Sequence, residues 1–253
     1  MLAKLTGFFF LGLIRLLTGA QARWYGCPPK AEQRIYFANH QSHADLVMIW
    51  AALPQELRGI TRPIAAKDYW TKTPLREWIT TAVFNAVYVD RQSGTRAPAA
   101  VVRPAAHPSA LPPDARPGTQ QQPLPFPEVA PAAAAQPAQP APATPEADPL
   151  APLAEALERG DSIIIFPEGT RGFADEPQPF KSGLYTLARR FPQVVLVPAW
   201  IQNIQRVMPK GEVVPVPILC SVTFGAPVVL GADEERRPFL DRARDAVIAL
   251  RDI

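Results

Sequence analysis

The chain has 253 residues, 47% hydrophobic and 19% charged, enough to bury the core of one large α/β domain or two small ones. Its net charge of +3 and pI near 9.0 fall short of the basic excess of a nucleic-acid binder. That balance still favours an anionic membrane surface. Cys27 and Cys220 lie too far apart for a metal or redox spacing, and they suit a reducing compartment.

Leu5 to Leu17 is apolar apart from Thr6, two glycines and Arg15, with Lys4 before it. It is short for a transmembrane helix and carries a charge. Ala20-Gln21-Ala22 resembles a signal-peptide cleavage site, but Arg15 inside the apolar region argues against that reading. An interfacial helix over residues 1–22 is the preferred reading, with an ordinary buried helix as the alternative. Residues 23–253 then make up the rest of the protein.

Gln33 to Ala38 reads as a short buried strand, followed at once by the polar cluster Asn39 to His43. Ala44 to Leu53 reads as a helix stopped by Pro54. Thr61 to Ala66 is a strand weakened by Pro63, and a helix within Trp70–Thr81 starts near Pro74. Val83 to Val89 is rich in β-branched and aromatic residues and predicts a strand ending at Asp90-Arg91.

From about 93 to 150 the periodicity dissolves into Pro, Ala and Gln. Sixteen of the 31 prolines fall between Pro98 and Pro152. Too few large apolar residues offset the ordering entropy, so this reads as a disordered, partly polyproline insertion. Order resumes with a helix ending at Arg159 and closed by Gly160. A buried strand over Ser162–Phe166 comes next, then a helix over Gly183–Phe191 and a strand over Val194–Trp200. Two more strands are expected within Val213–Phe224, and an amphipathic helix over Arg236–Ile253 closes the chain. Alternating strands and helices argue an α/β fold around a mixed, largely parallel central sheet.

Two clusters carry chemistry. In Asn39-His40-Gln41-Ser42-His43-Ala44-Asp45 a strand turns into a helix, and Asp45 can fold back onto the His40 imidazole. A carboxylate on one ring nitrogen fixes the tautomer and leaves the other to take a proton from an alcohol. By spacing alone Asp45 can equally cap the helix, with His40 a satisfied turn residue. A zinc site from His40, His43 and Asp45 is disfavoured, because the only other histidine, His107, lies in the insertion. In Phe166-Pro167-Glu168-Gly169-Thr170-Arg171 a buried strand ends at a glycine turn and an arginine fork suited to phosphate. A salt-bridged turn is the alternative there. Arg91, in Tyr88-Val89-Asp90-Arg91, stands at another strand end, within reach of the same anion unless it only pairs with Asp90.

Together these segments resemble the 1-acylglycerol-3-phosphate acyltransferases and their lysophospholipid and glycerol-3-phosphate relatives. Asn39-His40 through Asp45 matches the family's Asn-His-x4-Asp, and Ser42 matches as well. Tyr88 to Arg91 matches its aromatic-Val-Asp-Arg, and Phe166 to Arg171 matches its Phe-Pro-Glu-Gly-Thr-Arg without change. Phe180-Lys181-Ser182-Gly183 matches the family's next segment, and Val197-Pro198 matches its fourth motif. Two departures stand out: the family's glycine before the second motif is replaced around Asn85-Ala86, and roughly 75 residues separate the second and third motifs.

The resemblance implies a glycerolphosphate-acyltransferase-like fold and an O-acyltransferase at the cytoplasmic face of the inner membrane. His40 and Asp45 would be catalytic. Arg91, Arg171, Thr170, Gly169, Glu168, Ser42 and Asn39 would hold substrate. It implies no metal or other cofactor; acyl-CoA or acyl carrier protein is the co-substrate, and lysophosphatidic acid or a related lysolipid the acceptor. A CoA-independent transacylase and a non-catalytic membrane scaffold with a Pro-rich recruiting segment are the competing readings.

Overall fold

The structure, a computed structural model, describes residues 2–42, 44–89, 148–172, 176–207 and 216–253. Its centre is a sheet of seven strands. In chain order these are β1 (Gln21–Trp24), β2 (Arg34–Ala38), β3 (Thr61–Ala66), β4 (Val87–Val89), β5 (Ser162–Ile165), β6 (Val195–Gln202) and β7 (Ser221–Phe224). They lie side by side as β1-β7-β6-β2-β5-β3-β4. Every neighbouring pair is parallel except β6 with β7. The sheet is therefore mixed and largely parallel, as expected.

Strands buried on both faces read as unbroken apolar runs, and β2 and β5 are buried along their whole length. Alternation of side chains divides the core in two. Tyr36, Ala38, Ile164, Val197 and Ala199 face a layer built from α1 (Leu2–Thr18) and α2 (Asp45–Ala52). Ile35, Phe37, Ile163, Ile165 and Leu196 face the opposite layer. That layer consists of α6 (Ala151–Glu158), α7 (Gly183–Arg190) and α9 (Arg236–Ile248). The connections between strands carry α3 (Gln55–Ile60), α4 (Lys67–Trp70), α5 (Pro74–Trp78) and α8 (Ile204–Val207).

Pro63 is tolerated because β3 changes neighbours there. Thr61 to Pro63 pair with β5, and Ile64 to Ala66 pair with β4. Gly160 ends α6 in the left-handed conformation that its C-cap position requires (φ 86°).

Two expectations change, and two others fall wholly or partly outside the described residues. The strand expected over Val83–Val89 shrinks to Val87–Val89, because the helical path of α5 continues as a π-helical turn through Ile79–Val83. Asn85 then turns the chain in the left-handed region (φ 49°), the conformation a glycine would supply at the family position it replaces. Gln21–Trp24, which includes part of the supposed cleavage site, is an edge strand on β7, with Trp24 stacked on Phe224 at 4.1 Å. Of the two strands expected within Val213–Phe224, β7 is present, while 213–215 lie outside the described residues. So does the insertion expected at 93–150, apart from 148–150, which lead into α6.

α1 is docked by one face. Leu11 is buried, Ile14 packs on the same core, and the Thr18 hydroxyl points to the Met48 sulfur of α2 at 3.7 Å. Leu2, Leu5, Phe8, Phe9, Leu13 and Leu16 remain exposed, Leu16 to 80%. At about 1.5 Å per residue its 17 residues reach roughly 25 Å, short of a hydrocarbon core of about 30 Å. Among the described residues no helix is long and apolar enough to cross a membrane.

Candidate active site

The chemistry-bearing residues gather at the carboxyl ends of β2 and β5, beside the end of β6. In open α/β sheets that edge is where ligands bind, because the chain leaves each strand there with its polar groups unspent. β2 ends at Ala38, and Asn39 and His40 come next, before α2 begins. β5 ends at Ile165 and runs on into Phe166 to Arg171.

His40 Nδ1 lies 2.8 Å from Asp45 Oδ2. The same carboxylate oxygen accepts from the backbone N–H of Gln41 at 2.7 Å and of Ser42 at 2.8 Å. Asp45 is fully buried, and these donors offset the cost of holding its carboxylate away from water. It does not cap α2: the N-cap position is Ala44, with no side-chain cap, and the Asp45 carboxylate instead reaches back across the turn. Between the two occupations the spacing left open, the fold selects the imidazole. Because a carboxylate only accepts, Nδ1 carries the proton and Nε2 carries the lone pair. Among the described residues Nε2 makes no hydrogen bond, and the side chain keeps 14% of its surface exposed. Phe166 stacks on the imidazole at 4.4 Å and 17°, which fixes the plane of the ring.

The backbone of His40 is held as firmly as its side chain. Its N–H donates to Glu168 Oε1 at 2.7 Å, and its carbonyl accepts from Gly172 N–H at 2.8 Å. Glu168 Oε2 accepts from Gln178 N–H at 2.8 Å. Burial pushes the Glu168 carboxyl above its ordinary range. The two backbone donors from Gln178 and His40, and the nearby imidazole, pull it partly back, while Asp45 adds to the rise.

The remaining expected site residues divide by exposure. Thr170 and Arg171 are exposed, and among the described residues Arg171 makes no ion pair. Gly169 turns the loop at φ 70° with the Lys181 side chain lying where a Cβ would sit, 2.7 Å from its Nζ. Ser42 is half-buried, and its hydroxyl accepts from Ala44 N–H at 3.2 Å. Asn39, expected against substrate, is 1% exposed. Its amide donates to the Ile201 carbonyl at 3.1 Å and accepts from Ile201 N–H at 2.8 Å, which clips the end of β2 to β6. Arg91 and His43 lie outside the described residues.

Phe166, Gly172 and Gln178 act on the base without having been singled out for it. Phe166 opens the third motif and Gly172 follows it directly, a signal that was available. The Gln178 contact is a backbone amide and leaves no mark in sequence. Arg62, at the amino-terminal start of β3 and so at the opposite edge of the sheet, pairs with Asp161 at 3.0 Å. Both thiols are buried, and burial pushes Cys220 up to about 11 and raises Cys27 as well, which disfavours the thiolate.

The geometry thus offers an oriented imidazole beside an exposed, cation-bearing loop. A family model described as Acyltransferase matches residues 27–108 and 132–202, which include both halves of this site. The chain belongs to the acyltransferase family. Among solved structures, the acyltransferase fold seen here resembles the 1-acyl-sn-glycerophosphate (LPA) acyltransferase PlsC from Thermotoga maritima. The TM-score is 0.58 at 18% identity, over 98% of this chain and 78% of that one. No curated protein matches the chain in sequence.

Proposed function

We propose that this acyltransferase moves a fatty acyl group from acyl-CoA or acyl carrier protein to the free hydroxyl of a lysophospholipid. The simplest acceptor is 1-acyl-sn-glycerol 3-phosphate, giving phosphatidic acid. The observation that carries the reading is the His40–Asp45 contact at 2.8 Å, with the carboxylate buried and the far ring nitrogen without a hydrogen bond among the described residues.

His40 Nε2 takes the proton of the acceptor hydroxyl as its oxygen attacks the thioester carbonyl. Asp45 holds the tautomer and stabilises the imidazolium that forms. When the tetrahedral intermediate collapses, the C–S bond breaks and the thiolate leaves with that proton. A thioester is reactive enough for positioning and proton removal to carry most of the rate gain. Arg171, with Arg91 and Thr170, receives the acceptor phosphate; an arginine fork suits a phosphate by geometry and charge. Ser42 and Gly169 shape the pocket at the turn, while Asn39 and Glu168 serve it from beneath.

The exposed apolar face of α1 supports docking on a bilayer, where the acceptor resides. Phe8 and Phe9, exposed to 63% and 66%, are apolar anchors that water alone would not favour. The placement proposed is the cytoplasmic face of the inner membrane, where thioester donors are made.

The test is release of free thiol from palmitoyl-CoA by the purified protein, with and without lysophosphatidic acid in mixed micelles. Release that depends on the acceptor and yields phosphatidic acid supports the reading. Release independent of acceptor identifies a thioesterase and overturns it. A panel of lysolipids in the same assay separates phosphatidic-acid synthesis from remodelling of another headgroup.

A further inference from the structure

Glu168 is the acidic residue of the third motif, yet it does not face the solvent side of the site. It is 2% exposed, and each carboxylate oxygen is occupied by a backbone donor. Oε1 holds His40 N–H at 2.7 Å and Oε2 holds Gln178 N–H at 2.8 Å. One side chain therefore spans from the general base to the far end of the loop that carries Arg171.

The loop returns the contact, since Gly172 N–H donates to the carbonyl of His40 at 2.8 Å. Both peptide groups flanking the His40 Cα are thus bonded to the same loop. A Cβ on Gly172 would stand 3.2 Å from Glu168 Oε2, close enough to press the carboxylate aside by a few tenths of an ångström. Charge-assisted bonds of this length are about twice as strong as neutral ones, and they are short enough to fix a register.

We infer that Glu168 is a positioning residue: its carboxylate ties the backbone of His40 to the Arg171 loop and so sets the base against the acceptor. The inference rests on the reading of His40 as general base. A proton transfer tolerates little misplacement, and an error of about 1 Å can cost roughly 100-fold in rate. Placing base and anion loop on one carboxylate makes the distance between them independent of the bound lipid. The titratable groups facing that carboxylate are His40, which lowers its pKa, and Asp45, which raises it. No acceptor hydroxyl is needed to explain any part of its burial.

The experiment uses the full chain with nitrogen-15 histidine. The sequence holds three histidines, so the spectrum carries three histidine backbone amides, and His43→Asn and His107→Asn identify the signal of His40. In Glu168→Gln the His40 amide should exchange with solvent at least ~10-fold faster. kcat should fall about 10- to 100-fold, with the KM of the lysolipid changed less than ~3-fold. Gly172→Ala, which leaves the carboxylate in place but crowds it, should produce the same pattern at smaller amplitude. It stands in should Glu168→Gln fail to fold. Glu168→Asp should recover part of kcat without altering KM.

Two results overturn the inference: His40 exchange that stays unchanged in Glu168→Gln, or a raised lysolipid KM at unchanged kcat. If the wild-type protein transfers acyl groups to no lysolipid, the reading of the function fails. The exchange measurement still decides whether Glu168 holds His40.

Discussion

The two halves of the site are built in opposite ways. Around His40 both flanking peptide groups and one imidazole nitrogen are bonded, and the partner carboxylates of Asp45 and Glu168 are buried. A few residues away, Thr170 and Arg171 stand exposed, and among the described residues Arg171 has no ion-pair partner. Proton abstraction depends steeply on distance and angle, so the base must be held before substrate arrives. Capture of a phosphate is a longer-ranged Coulomb problem, and an exposed guanidinium can still adjust to it. On the proposed function the contrast fits the two tasks, and mutations on either side should fail in different ways.

The largest effect belongs to the base. His40→Ala should reduce kcat by about 10²- to 10⁴-fold with little loss of thermal stability, and Asp45→Asn should approach it by reversing the tautomer. Steady-state assays with circular-dichroism melts read both quantities, and a His40→Ala enzyme within tenfold of wild type would sink the mechanism. On the loose side, Arg171→Ala should raise the lysolipid KM roughly 10- to 100-fold, the worth of a charge-assisted bond of about 1.5–3 kcal/mol, and spare kcat. An unchanged KM there would remove the phosphate from this loop.

Asn39→Ala tests where the tight half ends. It strands the Ile201 N–H and carbonyl, so urea unfolding should show a loss of about 1–3 kcal/mol. A raised KM with an unshifted urea midpoint would instead return Asn39 to the substrate.

The smallest effect is a pH signature of the tight half. Burial raises the Glu168 carboxyl in the fold, so folding favours its protonated form. That contribution to stability is fully present below the ordinary carboxyl range and is lost as pH rises through the folded value. Glu168→Gln cannot ionise and escapes the loss. The melting temperature of wild type relative to this variant should therefore climb as pH is lowered from neutral toward the carboxyl range. A difference that stays flat would mean that Glu168 ionises in the fold as easily as in water.

Much of this was legible in the residues. The apolar runs of β2, β5 and β6 announced buried strands of a parallel sheet. The Asn39–Asp45 and Phe166–Arg171 segments announced their own placement at strand ends. β1 was hidden because four residues of ordinary polarity carry too little pattern, and only pairing with β7 makes them a strand. The π-helical turn was hidden because Val83 and Phe84 favour a strand by composition, and packing overrode that preference.

By itself the sequence determined which groups were available: one histidine with a carboxylate five residues on, an arginine loop, and an N-terminal helix too short to span a bilayer. Tertiary structure decided their employment. Asp45 serves the imidazole instead of the helix end because the turn brings three donors to one oxygen. Asn39 and Glu168 look inward because Ile201 and His40, distant in sequence, present unsatisfied backbone groups to them. A hydrogen bond between residues more than a hundred positions apart exists only once the sheet has formed, and no local pattern can encode it.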